Sequence, residues 1–322
     1  MSDNPCKIFH SIQLNNFLSF GPKAEPLPLE SLNVLIGPNG SGKSNFLNAI
    51  ALLQAMPKNV SLPLRQLGSS GFNEWLFKSG EHTQQATIHA TIQVPFEKTS
   101  SISHALSLSL LGQNLKTYSE AIFSGDNHFY SHSHSGIIRL QGCVLEEESN
   151  TNIPARRLHR TINPKDLDPG QSILAQRKDP EQYPEITHIA KQYEQIKIYR
   201  AWDLGRNTSL RRPYPSDLPG DFLNEDASNL VLVLSRLDMQ ATVRQNILER
   251  LKDFNPAFSR IIAKIEMGSV QLYLEETSIQ ENHPVTQLIP ATRLSDGTLR
   301  FLCLLSILCH PTPPPLLCLE EP

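Results

Sequence analysis

Residues 31–56 read SLNVLIGPNGSGKSNFLNAIALLQAM, and the order of textures in that stretch decides the fold. An apolar run at Asn33–Ile36 reads as a short strand. A glycine-rich turn follows, then a helix rich in Leu and Ala that stops before Pro57. The turn, Gly37–Ser44 (GPNGSGKS), fits the spacing G-x-x-x-x-G-K-[S/T]. Gly37, Gly40 and Gly42 let the backbone bend so that its N–H groups face an anion, with Pro38, Asn39 and Ser41 completing the loop. The start of the helix adds about half a positive charge. Lys43 is long enough to reach terminal phosphates, and the Ser44 hydroxyl suits Mg²⁺. The stretch therefore predicts a phosphate-binding loop between a strand and a helix.

The bulk properties bound what surrounds it. The 322 residues are 39% hydrophobic and 19% charged, which permits a folded core and argues against wholesale disorder. A formal net charge of -3 gives no whole-protein case for nucleic acid or anionic membrane. The five cysteines form no C-x-x-C pair, and Cys303, Cys309 and Cys318 lie in apolar runs. They read as reduced, buried thiols of a cytoplasmic protein. The N-terminus MSDNPCKIFH has no signal-peptide core, and the longest apolar run is far too short to span a bilayer.

Along the chain, KIFHSIQLNNF alternates in part and reads as a strand. From Thr83 to Leu145, segments such as ATIHATIQV and SGIIRLQGCVLEE predict an antiparallel β region. Within it, His132 and His134 could share a strand face, as a metal pair or as part of a solvated hairpin. NLVLVLSRL and ATVRQNILERLKDF look helical, and RIIAKIEMGSVQLYLEE reads as a hairpin turning at Met267–Ser269. ATRLSDGTLRFLCLLSILCHPTPPP is a turn, a helix apolar on nearly every side, and a proline stop.

A phosphate loop needs carboxylates. PLLCLEE, residues 315–321, is an apolar strand ending in acid, the pattern of a Walker B element. Glu320 would orient Mg²⁺, through water, and Glu321 would stand as the general base for water attacking the γ-phosphate. Glu320 stands where Asp is more usual. Just before the apolar helix, Leu294–Arg300 (LSDGTLR) puts Ser295 and Gly297 at a helix start, either as a second anion site or as a plain Ser N-cap.

In this order, the three motifs resemble the ABC-type ATPase heads of the RecF/SMC branch, most closely its RecF-like bacterial AAA-family ATPases. LSDGT resembles the LSGGQ signature in variant form. The resemblance covers nearly the whole chain, and no sustained heptads lie between Lys43 and Ser295, so a compact arrangement without a coiled coil fits. It implies an α/β P-loop NTPase with an antiparallel β region and a helical lobe. The expected parts are an ATP-binding core over 1–200, a helical and hairpin region over 201–290, and the signature helix with the Walker B strand over 291–322. It also implies ATP and Mg²⁺ as ligands, and a head-to-tail homodimer in which Ser295, Asp296, Gly297 and Thr298 meet the ATP held by the other copy.

Weaker carry-overs follow. SILAQRKDP resembles the Q-loop segment, which makes Gln176 either a Mg²⁺ and water ligand, beside Ser44 and Glu320, or a surface loop residue. LRQLGSSG resembles an arginine loop, which makes Arg65 a phosphate contact or a surface residue. Asn16–Phe20 would lie near the nucleotide base. Family members continue past Walker B with a D-loop and a switch histidine, so the resemblance makes Pro322 read as the end of a truncated chain. The implied function is ATP binding and hydrolysis, coupled to DNA or a nuclease in repair or phage defence, with no membrane partner. The rivals are a non-hydrolysing nucleotide-gated interaction module and an ABC transporter subunit. The local hints of a DNA surface are Arg156, Arg157, Arg160, Arg211 and Arg212.

Overall fold

The computed structural model describes residues 7–58, 72–78, 85–96, 99–111, 114–133, 138–144, 156–162, 166–168, 170–280 and 283–321. The chain divides into two units, Met1–Ile196 and Lys197–Pro322.

The first unit is built on an eight-stranded antiparallel sheet in the order β2-β1-β3-β4-β5-β6-β7-β8. Its strands are β1 (Phe9–Asn15), β2 (Leu27–Pro28), β3 (Gln85–Phe96), β4 (Thr99–Leu111), β5 (Asn114–Ser124), β6 (Asn127–His132), β7 (Ile138–Val144) and β8 (Arg156–Ile162). Strand β3 shows why these residues form a sheet. Ala86, Ile88, Ala90 and Ile92 are buried while Thr87, His89 and Thr91 are half-buried, the period-two pattern of a sheet with one covered face. Among the described residues this unit has the helices α1 (Lys43–Ala55), α2 (Ile173–Gln176) and α3 (Pro184–Glu194). Helix α1 buries Phe46, Leu47, Ala49, Ile50, Leu52, Leu53 and Ala55. Helix α3 starts with Pro184 at its first turn, where no N–H is missed, and buries Ile186, Ile189, Ala190 and Tyr193.

Tyr193 carries a deeply buried polar cluster onto the sheet. Its ring lies 6.0 Å from that of Phe9, and its hydroxyl is 3.1 Å from His104 Nδ1. His104 Nε2 is 3.0 Å from Glu120 Oε1, and Glu120 also accepts from the Ser172 hydroxyl and, at 2.9 Å, from the Ile173 N–H. His104, Glu120 and Ser172 are at most 1% exposed. Burial and the Glu120 charge push the Tyr193 hydroxyl well above its ordinary pKa. The network ties β4 and β5 to the first residue of α2.

The second unit holds β9 (Lys197–Tyr199), β10 (Tyr214–Pro215), α4 (Leu230–Asp238), α5 (Ala241–Phe254), β11 (Phe258–Glu266), β12 (Ser269–Gln280), β13 (His283–Pro290), α6 (Asp296–Leu308) and β14 (Leu317–Leu319). β11 and β12 form a hairpin whose two-residue loop, Met267–Gly268, has φ of 47° and 80°. Both values are those of the primed turn that matches strand twist. β13 adds to β12 on the other side. β14 pairs parallel with β9, and the ladder runs on through Glu320 N–H to Tyr199 O at 2.8 Å. Helix α6 buries Thr298, Leu299, Leu302, Cys303, Leu305, Ser306 and Ile307, but Phe301 and Leu304 are half-buried and Leu308 is 67% exposed, so the helix is covered on one side rather than all round. Burial raises the Cys303 and Cys318 thiols to about 12, which leaves them as inert apolar fillers.

One expectation about the loop's surroundings is corrected. Asn33–Ile36 is not a strand. Leu32, Val34 and Ile36 are 82%, 72% and 90% exposed, and the Asn33 side chain is spent on the Glu30 backbone at 2.7 and 2.9 Å. A strand's apolar side chains can be written in sequence, but its ladder bonds must come from neighbours, and none among the described residues pairs here. Similarly, β14 is half-buried rather than covered on both faces.

The Glu120 network sets a stability test. Glu120→Ala leaves three buried donors facing a void and is expected to lower unfolding stability by about 3 kcal/mol or more. The check is the urea midpoint at unchanged slope.

Candidate nucleotide site

The loop Gly37–Ser44 closes at the start of α1. Gly40 and Gly42 have φ of 82° and 97°, values that an L side chain resists. Gly42 is the helix N-cap and carries no side-chain cap, so the first-turn backbone groups are left to loop and ligand. A Cβ at Gly42 would lie 2.7 Å from Ser19 Oγ. Ser41 N–H closes a turn on Pro38 O at 3.2 Å. The Lys43 ammonium folds back over the loop, donating to Gly37 O at 2.7 Å and Pro38 O at 3.0 Å, with Ser41 Oγ at 3.5 Å. A cation bonded only to weak neutral acceptors is poised to exchange them for phosphate oxygens, a charge-assisted bond about twice as strong. Ser44 is exposed on the first turn. The residues present fit a phosphate chain and a hard cation held by a hydroxyl.

Asn16–Phe20 flanks this loop. Asn16 and Leu18 take φ of 55° and 51°, forming a tight bulge pinned by Leu18 N–H to Trp75 O at 2.7 Å. Ser19 Oγ accepts from Asn45 Nδ2 at 2.9 Å, and the Phe20 ring edge stands 3.8 Å from where a Gly42 Cβ would be. Ser19 falls within the segment expected near the nucleotide, but its bond to Asn45 was not legible, since only the folded chain brings the two together.

Gln176 sits at the end of α2, but its amide is engaged by its own loop. Oε1 accepts from Asp168 N–H at 2.7 Å, and Nε2 donates to Asp168 O and Gln171 O at 3.1 and 3.0 Å. In this conformation it shapes residues 168–176 rather than presenting an oxygen. Arg65 and His134 lie outside the described residues, and His132 is half-buried with its pKa lowered by burial, against an opposing pull from Glu120. Among the described residues no cluster of three His, Cys, Asp or Glu could hold a metal, and no helix is long and apolar enough to cross a membrane.

In the second unit, Glu320 and Glu321 end β14. Glu320 faces Arg200, Oε2 to Nη1 at 3.8 Å, and the other terminal nitrogen of Arg200 is buried with no hydrogen-bond partner among the described residues. Glu321 is exposed, at φ 50°, and its carbonyl accepts from Arg300 at 3.4 Å. Ser295–Thr298, the residues expected to form a signature, lie at the start of α6. Ser295 is the N-cap, its Oγ accepting from Thr298 N–H at 3.1 Å and lying 2.8 Å from Thr298 Oγ1. Ser295, Asp296 and Gly297 are exposed, and Thr298 is buried. The Asp296 carboxylate is bonded to Arg211 while its side chain stays 68% exposed. Arg211 itself is 4% exposed, so its reading as part of a DNA surface is withdrawn, while Arg212 is exposed. Arg156, Arg157 and Arg160 fall on β8.

Two substitutions test the loop. Lys43→Met is expected to weaken binding of a fluorescent ATP analogue about 10- to 100-fold, the worth of a charge-assisted bond. Gly42→Ala combines a left-handed φ, costing about 1–2 kcal/mol, with collision against Ser19, and is expected to abolish binding in the same titration.

Comparison with known proteins adds three findings. Over 96 residues, or 29% of its length, the chain is 35% identical to a DNA mismatch repair protein MutS of Acaryochloris marina (strain MBIC 11017), of which it spans only 11%. A solved structure described under "Structural biochemistry of ATP-driven dimerization and DNA stimulated activation of SMC ATPases" aligns with 40% of this chain and 74% of its own, at 16% identity and a TM-score of 0.29, too low to carry an argument. Residues 32–322 match the family described as "AAA domain, putative AbiEii toxin, Type IV TA system". With the glycine-turned loop and its lysine inside a match that takes in most of the chain, the protein belongs to this family of ATP-binding AAA ATPases and is a P-loop NTPase of α/β class with a large antiparallel sheet.

Proposed function

We propose that the chain is an ATPase that binds Mg·ATP on Gly37–Ser44, associates head-to-tail with a second copy, and hydrolyses the nucleotide to release it. The observation that carries this reading is the Lys43 ammonium held over a loop with two left-handed glycines at the uncapped start of α1. In this reading Lys43 moves from the carbonyls of Gly37 and Pro38 onto the β- and γ-phosphates, and the backbone N–H groups of the loop hold the phosphate chain. Ser44 would hold Mg²⁺, Glu320 would contribute through water, and the ion would supply charge neutralisation at the phosphates. Glu321 accepts the proton of the attacking water as general base. Ser295, Gly297 and the start of α6 face the γ-phosphate held by the other copy. The likeness of 96 residues to a DNA mismatch repair protein favours DNA as the partner whose state the cycle reads, in repair or phage defence.

A second reading is a nucleotide-gated interaction module that binds ATP without turning it over. The closed amide of Gln176 and the guanidinium facing Glu320 favour it, since both tie up groups that hydrolysis would use. Phosphate release separates the two. The ATPase reading predicts steady release and a loss of about 100-fold or more in Glu321→Gln, with ATP binding retained. Release at the background rate in both proteins contradicts it and leaves the module.

A further inference from the structure

The signature of this chain carries a carboxylate, Asp296, at the first residue of α6, where the reading above places another copy's γ-phosphate. A carboxylate there suits the helix on its own, because it complements the positive end of the helix dipole. It does not suit an arriving phosphate, which is an anion. The structure also places a guanidinium beneath it. Arg211 is buried, and each arm of its fork is used. Nε donates to Leu204 O at 3.0 Å, and Nη1 donates to Ala291 O at 2.9 Å and Leu294 O at 2.7 Å. Nη2 donates to the Asp296 carboxylate. The fork thus pins the two carbonyls leading into Ser295 and closes on the one charged side chain of the signature.

We propose that Arg211 is a positioning residue of the signature, with two linked effects. Its positive charge cancels that of Asp296, and its bonds to Ala291 and Leu294 fix the direction in which the start of α6 points. The pair makes an acidic signature competent to meet a phosphate. This inference rests on the nucleotide-driven dimer proposed above. It differs from a structural ion pair in one respect: a fully buried arginine needs only its carbonyls and any carboxylate, whereas here the carboxylate stands between Ser295 and Gly297 in the sequence, at 68% side-chain exposure. An uncompensated Asp296 would act on the arriving anion rather than on the fold.

The test uses the full chain in a Glu321→Gln background, reading the ATP-dependent dimer by light scattering across protein concentration. Arg211→Gln loses the charge and keeps one polar NH2 group in its place, and is expected to weaken the dimer about tenfold or more, the scale of one desolvated charge contact. Adding Asp296→Asn to Arg211→Gln is expected to restore the dimer to within about threefold, because the repelling charge is gone. Asp296→Asn alone, a change at an exposed position that spares the fold, is expected to leave the dimer equal or tighter. An Arg211→Gln dimer as tight as its parent overturns the inference. So does a double variant no better than Arg211→Gln, or a dimer weakened by Asp296→Asn alone. A parent that stays monomeric with ATP overturns the dimer reading and this inference with it. A parent that dimerises while the variants fail these expectations overturns the inference alone.

Discussion

Helix α1 can begin in only one way. Seven of its thirteen residues are buried, from Phe46 to Ala55, so the helix is fixed along its length and its N-terminus cannot slide. The chain must reach that fixed start from an extended segment through Gly42 at φ 97°. No side chain caps the first turn, and Ser19 leaves no room for a Cβ. Steric demand and unsatisfied donors coincide at one point, and that point is where a phosphate fits. The bulge at Asn16–Phe20, the Asn45–Ser19 bond and the folded-back Lys43 all follow from building around it.

A second constraint works at a distance. Glu120 takes three donors from β4 and the start of α2, so the sheet and the loop that carries Gln176 form one hydrogen-bonded body. Buried networks of this kind are costly when half satisfied and rigid when complete. Arg211 plays the matching part in the second unit, where it holds the residues before α6 from beneath. In both units a segment with a proposed chemical role is held by a buried charge from elsewhere in the chain.

What the sequence made legible follows from how local each signal is. The phosphate loop, the hairpin at Met267–Gly268, helices α4, α5 and α6 and the antiparallel region were readable because their signals lie within a few residues: glycine spacing, apolar periodicity, turn chemistry. The strand predicted at Asn33–Ile36 did not form, because apolar composition specifies a strand's faces and leaves its ladder partners unstated. Glu120 and His104 were missed, the bond of Ser19 to Asn45 was not foreseen within Asn16–Phe20, and Arg211 was read as a surface residue, all for a related reason. Arg211 meets Ala291 and Leu294 across some eighty positions, and Glu120 meets Ser172 across about fifty, separations at which no pattern in one sequence marks a pair.

The central claim is that backbone amides of Gly37–Ser44, at the start of α1, hold the phosphates of ATP. Amide hydrogen exchange across residues 33–46, with and without Mg·ATP, tests it most directly. The account predicts slowed exchange concentrated in the loop and the first turn of α1, and absent in Lys43→Met at the same nucleotide concentration. Exchange unchanged at Gly37–Ser44 while ATP is bound would contradict it and move the nucleotide elsewhere on the protein.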